Sequence, residues 1–335
     1  MNHSFDIVGI GAALVDTEIR VSDEDLGHLG IEKGLMTLCD EDAQKKYIGA
    51  LREHIDTANL ACGGSVANSM IAAARLGSRG FFTCKVADDN DGELFLSELK
   101  NAGIDYNRSA QKVPGSTGKC LVMITPDAER SMNTCLGVSE KIGIDNVELA
   151  PLENAKYVYL EGYLATSKTG SQAAIKLREA AQARGVKVAM SLSDPGIVDF
   201  FRPKLREILG ERIEILFCNE AEAKSWTETA SLMDAAESLK ADCDMFAITL
   251  GAKGALCWDG NNMIEVAAPK TRAINTNGAG DMFAGCMLAA LTKGLSVHRS
   301  AEFACIGAAK VVAQDGPRLA ATEYDSLVDH IRAKH

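Results

Sequence analysis

The stretch INTNGAGDMFAGCMLAAL, residues 274–291, joins a glycine-rich loop directly to an apolar, alanine-rich segment. We expect a buried helix here, whose first backbone N–H groups belong to Gly278, Ala279 and Gly280. Unpaired N–H groups and the helix dipole attract anions at this end of a helix. Asp281 adds a single carboxylate to the same turn.

A carboxylate beside an anion site has a possible chemical use. Asp281 would take the proton from an attacking hydroxyl, while the N–H groups stabilise charge on a transferred phosphoryl group. The structural alternative is an acid that stabilises the first turn of its helix, an effect of roughly 0.3–1 kcal/mol. These residues alone do not choose between the two interpretations.

Away from this loop, short apolar runs that are typical of strands alternate with segments that are typical of helices. KYVYLEG, VKVAMSL and IEILFC fit buried strands, and a helix is predicted near residues 170–184. Such alternation predicts an α/β fold with a mainly parallel sheet that is covered on both faces.

The pattern changes between residues 112 and 137. TGKCLVMI and RSMNTCL are two strand-like runs joined by TPDAE, which predicts a hairpin and not a βα unit. We therefore expect an α/β core and a small β lid, with the core formed by residues 1–15, 41–111 and 138–335 and the lid by residues 16–40 and 112–137.

The bulk composition excludes several classes of function. The 335 residues carry a net charge of -11, which makes the chain a poor general binder of nucleic acid or of an anionic membrane. Ten scattered cysteines without a C-x-x-C pair predict reduced thiols and a cytoplasmic location. No apolar run is long enough for a transmembrane helix, and the N-terminal residues do not resemble a signal peptide.

Ligands bind beyond the carboxyl ends of the strands in such a sheet, so the loops that follow strands are informative. The T-x-G-x-x-G pattern of Thr249, Gly251 and Gly254 would cradle phosphates, but a plain hairpin turn is favoured from this pattern alone. Asn219 and Glu222 lie three residues apart and would hold Mg²⁺ through water, or would simply cap a helix.

A further loop carries glycines and an amide. Gly63 and Gly64 would let a ligand approach the backbone, and Asn68 would lie one turn into the helix that follows. With Asp16, this amide would clamp a vicinal diol. The alternative is a tight turn with a solvated carboxylate. GIGAAL near Gly9 lacks the third glycine of a dinucleotide fingerprint, which disfavours a nicotinamide dehydrogenase.

The order of these loops resembles the PfkB (ribokinase-like) family of carbohydrate and nucleoside kinases over essentially the whole chain. TNGAGD, EGYLATS, PDAERSMNT and GKCLVMITP look most like the adenosine kinase branch. The resemblance implies a Rossmann-type three-layer core with a β-sheet lid. It also implies transfer of the ATP γ-phosphoryl group, with Mg²⁺, to the 5′-hydroxyl of a ribonucleoside such as adenosine. The alternative is a sugar kinase for ribose or a ketohexose such as fructose.

The resemblance also implies a role for each loop. It implies a catalytic base at Asp281, an anion hole at residues 278–280, a Mg-phosphate motif at Asn219 and Glu222, a nucleotide loop at Thr249, Gly251 and Gly254, and sugar contacts at Asp16, Gly63, Gly64 and Asn68. Arg130 looks like a lid-side arginine that reaches the transferred phosphate, and Tyr163 looks like an aromatic for stacking on the base.

One departure concerns a monovalent cation. The family loop often begins with Asp-Thr, whereas this loop begins with Asn275 and Thr276. A K⁺ ion there would rely on backbone carbonyls. The partners expected are a small-molecule nucleoside or sugar, with a monomer or a homodimer left open. A nucleotide sensor without catalysis is a different class, and Asp281, Asn219 and Glu222 argue against it.

Overall fold

The computed structural model describes residues 4–55, 59–107, 109 and 113–332. The strands are β1 Ile7–Ile10, β2 Leu14–Arg20, β3 Met36–Leu38, β4 Asn59–Gly63, β5 Gly80–Thr83, β6 Ile104–Tyr106, β7 Gly118–Ile124, β8 Arg130–Cys135, β9 Tyr157–Glu161, β10 Lys187–Ser191, β11 Ile213–Asn219, β12 Cys243–Thr249, β13 Ala255–Trp258 and β14 Met263–Val266. The helices are α1 Asp23–Leu29, α2 Glu41–Ala50, α3 Arg52–Ile55, α4 Ser65–Arg75, α5 Asn90–Asn101, α6 Lys168–Gln182, α7 Pro195–Leu209, α8 Glu220–Thr227, α9 Leu232–Leu239, α10 Ala279–Thr292, α11 Val297–Val311 and α12 Tyr324–Arg332.

A nine-stranded sheet forms the centre of the fold, in the order β14-β13-β12-β11-β10-β9-β1-β5-β6. The pairs from β12 through β6 are parallel, while β13 and β14 turn back antiparallel at one edge. The mainly parallel sheet predicted from the alternating pattern is therefore confirmed. The predicted helix near residues 170–184 is confirmed as α6.

The two faces of this sheet are both buried, as alternation along its strands shows. In β9, Tyr157 and Tyr159 pack into one apolar cluster, and Val158 and Leu160 pack into the other. Helices α4, α5, α10, α11 and α12 cover the first cluster, and α6 to α9 cover the second. Three layers result because each strand of a sandwiched parallel sheet must bury both of its faces.

A second sheet has the order β3-β8-β7-β2-β4. The hairpin predicted over TGKCLVMI and RSMNTCL is confirmed, since β7 and β8 pair antiparallel. Strand β4 also joins this sheet, although it lies in the 41–111 segment that was assigned to the core from the sequence. The division of the chain into core and lid stays a prediction.

Helix α10, which the opening stretch of sequence predicts, is buried along most of its length and packs against α4 and α11. A Cβ atom on Gly285 would lie 2.4 Å from the carbonyl oxygen of Ser69 in α4, so only glycine allows this approach. The close packing brings the N-terminal ends of α4 and α10 together.

All ten cysteines are free, and nine of them are buried, which confirms the prediction of reduced core thiols. In the part of the chain that the structure describes, no helix is both long and apolar enough to cross a membrane.

Candidate active site

A cleft of about 810 Å³ lies between the two sheets. Its floor is formed at the carboxyl ends of the parallel strands, where β9, β10, β11 and β12 end in Glu161, Ser191, Asn219 and Thr249. Its other wall comes from the small sheet. This is where open α/β sheets bind their ligands.

The cleft gathers most of the residues that the sequence singled out. Those that line it are Asp16, Gly64, Asn68, Arg130, Tyr163, Asn219, Glu222, Thr249, Gly251, Gly278, Ala279, Gly280 and Asp281. Two of the predicted residues are not part of the lining. Gly63 pairs with Leu14 inside the small sheet, and Gly254 lies under the end of β14, where a Cβ would be 1.9 Å from the Val266 carbonyl oxygen.

Asp281 is held by two side chains of α4. Ser65 donates its hydroxyl to Oδ1 at 2.6 Å, and Asn68 donates its amide to Oδ2 at 2.9 Å. Burial raises the pKa of Asp281, and these hydrogen bonds, together with the charges of Arg130 and Arg318, oppose that rise. The carboxylate is therefore fixed in orientation and kept basic, as a proton acceptor requires.

Two residues outside the predicted set support this arrangement. Arg318 donates to the side-chain oxygen of Asn68 at 3.0 Å, which turns the NH₂ group of Asn68 toward Asp281. Glu161 accepts from the Val66 amide at 3.2 Å and so holds the start of α4, where the N-cap residue has no side chain. Burial raises the pKa of Glu161 to about 7.

The loop that precedes α10 is fastened to the small sheet. Glu18 of β2, which is 5% exposed, accepts from the side-chain amides of Asn275 at 2.7 Å and Asn277 at 3.3 Å. Thr276 donates its amide and its hydroxyl to the Ala128 carbonyl in the β7–β8 turn. These bonds fix the loop, so that Gly278 enters α10 as its N-cap at φ +76° without a side-chain cap.

We expect Gly278→Ala to destabilise the protein by about 2–5 kcal/mol, because its Cβ would lie 2.1 Å from the Pro317 carbonyl oxygen and φ is positive. Gly294→Ala is the matched control. It also has a positive φ but meets nothing within 4 Å, so it should cost only about 1–2 kcal/mol. Urea denaturation of both variants measures the difference, and equal losses would contradict the close packing at Gly278.

Asn219 and Glu222 form a reciprocal cap at the start of α8. The Asn219 side-chain oxygen accepts from the Glu222 amide at 2.8 Å, and Glu222 accepts from the backbone and side-chain amides of Asn219 at 3.0 and 2.6 Å. The capping alternative is therefore realised. Both side chains still line the cleft, and burial raises the pKa of Glu222 to about 7.

The T-x-G-x-x-G pattern lies in a hairpin between β12 and β13, as the structural alternative predicted. Thr249 and Gly251 nevertheless reach the cleft. Thr249 and Gly251 therefore stay predicted contacts of a nucleotide, whereas Gly254 has a structural role in the hairpin.

Arg130 and Tyr163 approach the cleft from opposite sides. Arg130, on the small sheet, makes no ion pair within 4.0 Å among the described residues, and its guanidinium donates only to Met132 Sδ at 3.8 Å. Tyr163 follows β9 and donates its hydroxyl to the Ser193 carbonyl at 3.3 Å. Arg130 thus presents to the cleft a cation that feels the charges of Asp281, Asp194 and Glu129 but forms no direct ion pair with a described residue, which suits binding of an anion.

Asp16 lies in the middle of β2 and is 6% exposed. Burial, partly offset by the charge of Arg318 and reinforced by that of Asp281, raises its pKa to about 7. Asn68, its expected partner in a diol clamp, lines the same cleft. Its NH₂ group donates to Asp281, however, and its side-chain oxygen accepts from Arg318.

Sequence reasoning did not single out Ser65, Glu161, Asp194 or Arg318 as functional residues. A signal existed for Glu161 and Asp194, because each ends or follows an apolar strand, as the predicted site residues do. No comparable signal marked Arg318, which is 250 positions from the asparagine that it orients.

Comparison with known proteins gives consistent results. The sequence pattern of the pfkB family carbohydrate kinases matches residues 39–323. The fold is similar to an adenosine kinase from Sinorhizobium meliloti, with a TM-score of 0.91 and 32% identity over 99% of this chain and 100% of that one. It is also similar to a probable sugar kinase from Rhizobium etli, with a TM-score of 0.90 and 30% identity over 98% of each chain. An adenosine kinase from Schizophyllum commune is 28% identical, over 89% of this chain and 92% of its own.

Proposed function

The chain belongs to the pfkB family of carbohydrate kinases, and from this premise we propose that it phosphorylates the 5′-hydroxyl of a ribonucleoside, most simply adenosine. It is a phosphotransferase that acts on an alcohol group, and kinases of this family use ATP with Mg²⁺. One observation carries the proposal for the reaction: Asp281 lies at the start of α10 in the cleft, oriented by Ser65 and Asn68.

In this proposal Asp281 accepts the proton of the attacking hydroxyl. The backbone N–H groups at residues 278–280, of which that of Ala279 also donates to the Thr276 carbonyl at 3.3 Å, and the guanidinium of Arg130 stabilise the charge of the transferred phosphoryl group. The ordered partners of Asp281 matter because a base that is already aligned needs no reorganisation as the reaction proceeds.

The residues of the cleft fit Mg-ATP. Thr249 and Gly251 would contact the nucleotide, and Asn219 with Glu222 would hold the metal ion. Because these two side chains already bond each other, the fit is to an ion that keeps its water shell, as Mg²⁺ often does. When bound, Mg²⁺ supplies positive charge to the phosphate oxygens.

The choice of a nucleoside over a free sugar rests on apolar groups above Asp16. Met36, Leu38 and Met132 of the small sheet line the cleft, with Tyr163 on the opposite wall. Leu38 is 39% exposed, so a ligand in the cleft would cover part of its side chain. A purine ring would bury this surface. A sugar kinase is the second candidate, favoured by the similarity to the probable sugar kinase of Rhizobium etli.

The test is ADP release from Mg-ATP with adenosine, inosine, guanosine, ribose, fructose or no acceptor. Turnover with adenosine well above that with either sugar is the expected result. Turnover with ribose or fructose alone would keep the chemistry and overturn the substrate. ATP binding without turnover of any acceptor would contradict the kinase proposal and support a sensor.

A monovalent cation beside the 274–280 loop is a further part of the proposal. The Asn275 side-chain oxygen accepts from the Asn277 backbone amide at 2.8 Å, and its NH₂ group donates to Glu18 at 2.7 Å. Because both ends of this side chain are already bonded, an ion such as K⁺ would bind backbone carbonyls. Exchange of KCl for tetramethylammonium chloride in the same assay tests this. A clear fall in kcat supports the ion, and an unchanged rate removes it.

We also propose a cytoplasmic location, which the ten free thiols support, and a monomer or homodimer. Cell fractionation with an antibody tests the first, and recovery with the membrane or periplasmic fraction would refute it. Light scattering of the purified protein tests the second, and a larger assembly would refute it.

Asp16→Asn should stabilise the ligand-free protein while weakening acceptor binding. The pKa of Asp16 is about 7 in the fold, against about 4 when unfolded, so wild-type stability falls as pH rises between these values. The free energy of unfolding of the variant does not fall in this way, because asparagine does not titrate. Relative to wild type, the variant should be only slightly more stable at pH 4.5 and about 2–4 kcal/mol more stable at pH 8.

Urea denaturation at both pH values measures this gain, and acceptor KM measures the lost diol contact. Asp42→Asn, at a position exposed on α2, is the control and should change neither quantity. A variant of Asp16 that is less stable than wild type at pH 8 would show that the buried carboxylate is compensated.

A further inference from the structure

Residues 315–318, which lie between α11 and α12, contact both the small sheet and the start of α10. On the side of the small sheet, the Gly316 amide donates to the buried carboxylate of Glu18 at 3.1 Å. On the side of the core, the Pro317 carbonyl lies so close to Gly278, the N-cap of α10, that a Cβ there would be 2.1 Å from its oxygen. This short segment therefore connects the two walls of the cleft.

The Arg318 side chain extends the same connection to β4 and α4. Its Nη1 donates to the Cys62 carbonyl in β4 and, at 3.0 Å, to the Asn68 side-chain oxygen in α4. Its Nη2 donates to Glu98 of α5 at 2.5 Å, and Glu98 in turn accepts from the Cys62 amide at 3.4 Å. Arg318 and Glu98 together therefore bind both backbone polar groups of Cys62.

The end of β4 is the point where the small sheet passes into the core. Helix α4 begins at Ser65, three residues after Cys62, and its N-cap Gly64 has φ +92°. Asp16 of β2 lies against the same turn, since a Cβ on Gly63 would be 2.0 Å from its Oδ1. A fixed Cys62 therefore sets both the start of α4 and the surroundings of Asp16.

Asn68 is bonded at both ends of its amide and is 4% exposed. Its NH₂ group donates to Asp281, and Arg318 is the only donor to its oxygen among the described residues. Without Arg318 this oxygen would be buried and unpaired, which is costly, and the amide would no longer be held in one orientation. Arg318 does not line the cleft, so any effect it has on the reaction passes through these neighbours.

We propose that Arg318 is a positioning residue for phosphoryl transfer, which fixes the Asn68 amide against Asp281 and, through Cys62, the turn beside Asp16. The inference rests on the proposed function, in which Asp281 accepts the proton of the attacking hydroxyl. A displacement of about 1 Å in a reacting group can lower a rate by about 100-fold. A residue that never meets the substrate can therefore still determine kcat.

Arg318→Met is the first test. Burial raises the pKa of Asp281, and the charge of Arg318 is one of the effects that oppose the rise, so removing the charge raises this pKa further. We expect kcat with adenosine and Mg-ATP to fall by about 10- to 100-fold, and the acid limb of its pH profile to move to higher pH. The variant keeps the other titratable groups that face Asp281, which are Arg130, Asp16, Glu161, Tyr159 and Tyr163.

Two milder variants separate charge from geometry, and they test the proposal even where Arg318→Met does not fold. Arg318→Lys keeps the charge but loses the planar pair of donors, so the acid limb should stay near that of wild type while only part of the rate returns. Glu98→Gln keeps an oxygen for Arg318 and leaves its charge less compensated, so the acid limb should move to lower pH.

Arg212→Met is the matched control, because Arg212 also joins a carboxylate to backbone carbonyls. It donates to Asp244 at 2.6 Å and to the carbonyls of Lys240, Ala241 and Cys243. These contacts lie beside the amino end of β11, at the edge of the sheet opposite the cleft. The control should lower the free energy of unfolding in urea but keep the wild-type kcat and pH profile.

Two results with an active wild type would overturn the inference. An unmoved acid limb in Arg318→Met, with a fall in kcat no larger than in Arg212→Met, would leave Arg318 a purely structural residue. A normal kcat with only a raised KM for adenosine would assign it to acceptor binding. A wild type that phosphorylates no acceptor would overturn the proposed function together with this inference, and so is distinct from both.

Discussion

Asp281→Asn is expected to lower kcat by two or more orders of magnitude and to leave the Kd of the acceptor nearly unchanged. The amide is isosteric with the carboxylate, so it can still bond Ser65 and Asn68, which hold Asp281 at 2.6 and 2.9 Å. What it loses is the ability to accept the proton of the attacking hydroxyl. Steady-state rates and calorimetric binding of adenosine measure the two effects separately.

Ser65→Ala tests the same carboxylate from the other side. The Ser65 hydrogen bond lowers the pKa of Asp281 against the effect of burial, so removing it raises that pKa further. The acid limb of the kcat profile should therefore move to higher pH, with a normal rate partly recovered in alkaline buffer. Ser296→Ala, which removes the N-cap of α11, is the control.

Near-normal turnover in Asp281→Asn would exclude Asp281 as the base.

Arg130→Met should lower kcat by about 100- to 1,000-fold, since arginines that stabilise a phosphoryl transition state contribute at least this much. The guanidinium lies in the cleft without an ion pair to any described residue, which leaves its charge for the phosphate. Arg130→Lys keeps the charge but loses the planar pair of donors, so we expect it to recover only part of the rate.

Arg79→Met, where the side chain bonds Asp6 and Ser4 away from the cleft, is the control and should keep the wild-type rate. The KM for adenosine should change little in Arg130→Met, because the residue acts on the phosphoryl group. A variant with normal kcat and a raised adenosine KM would instead assign Arg130 to acceptor binding.

The sequence by itself determined the elements whose signals are local. The apolar runs predict the buried strands, the TPDAE turn predicts the β7–β8 hairpin, and the glycines before Asp281 predict the exposed start of α10. Each signal depends on hydrogen bonding or side-chain alternation within a few residues. The order of the motif loops along the chain was also sufficient for the family.

The tertiary structure decided what each of these groups contacts. Ser65 and Asn68 looked like a cap and a sugar contact, and their bonds to Asp281 span more than 200 positions. Strand β4 lies in a segment that the sequence pattern assigns to the core, but it pairs with β2 in the small sheet. Contacts between distant segments have no periodicity along the chain, because they are set by how helices and sheets pack.

The same reason explains why Arg318 and Asp194 escaped prediction. Arg318 orients Asn68 across 250 positions of the chain, and Asp194 becomes part of the cleft lining only in the folded protein. The residue types in the loops determined which chemistry the chain can perform. The packing of the two sheets decided which side chains are free to perform it, because burial and hydrogen-bond partners exist only after the chain has folded.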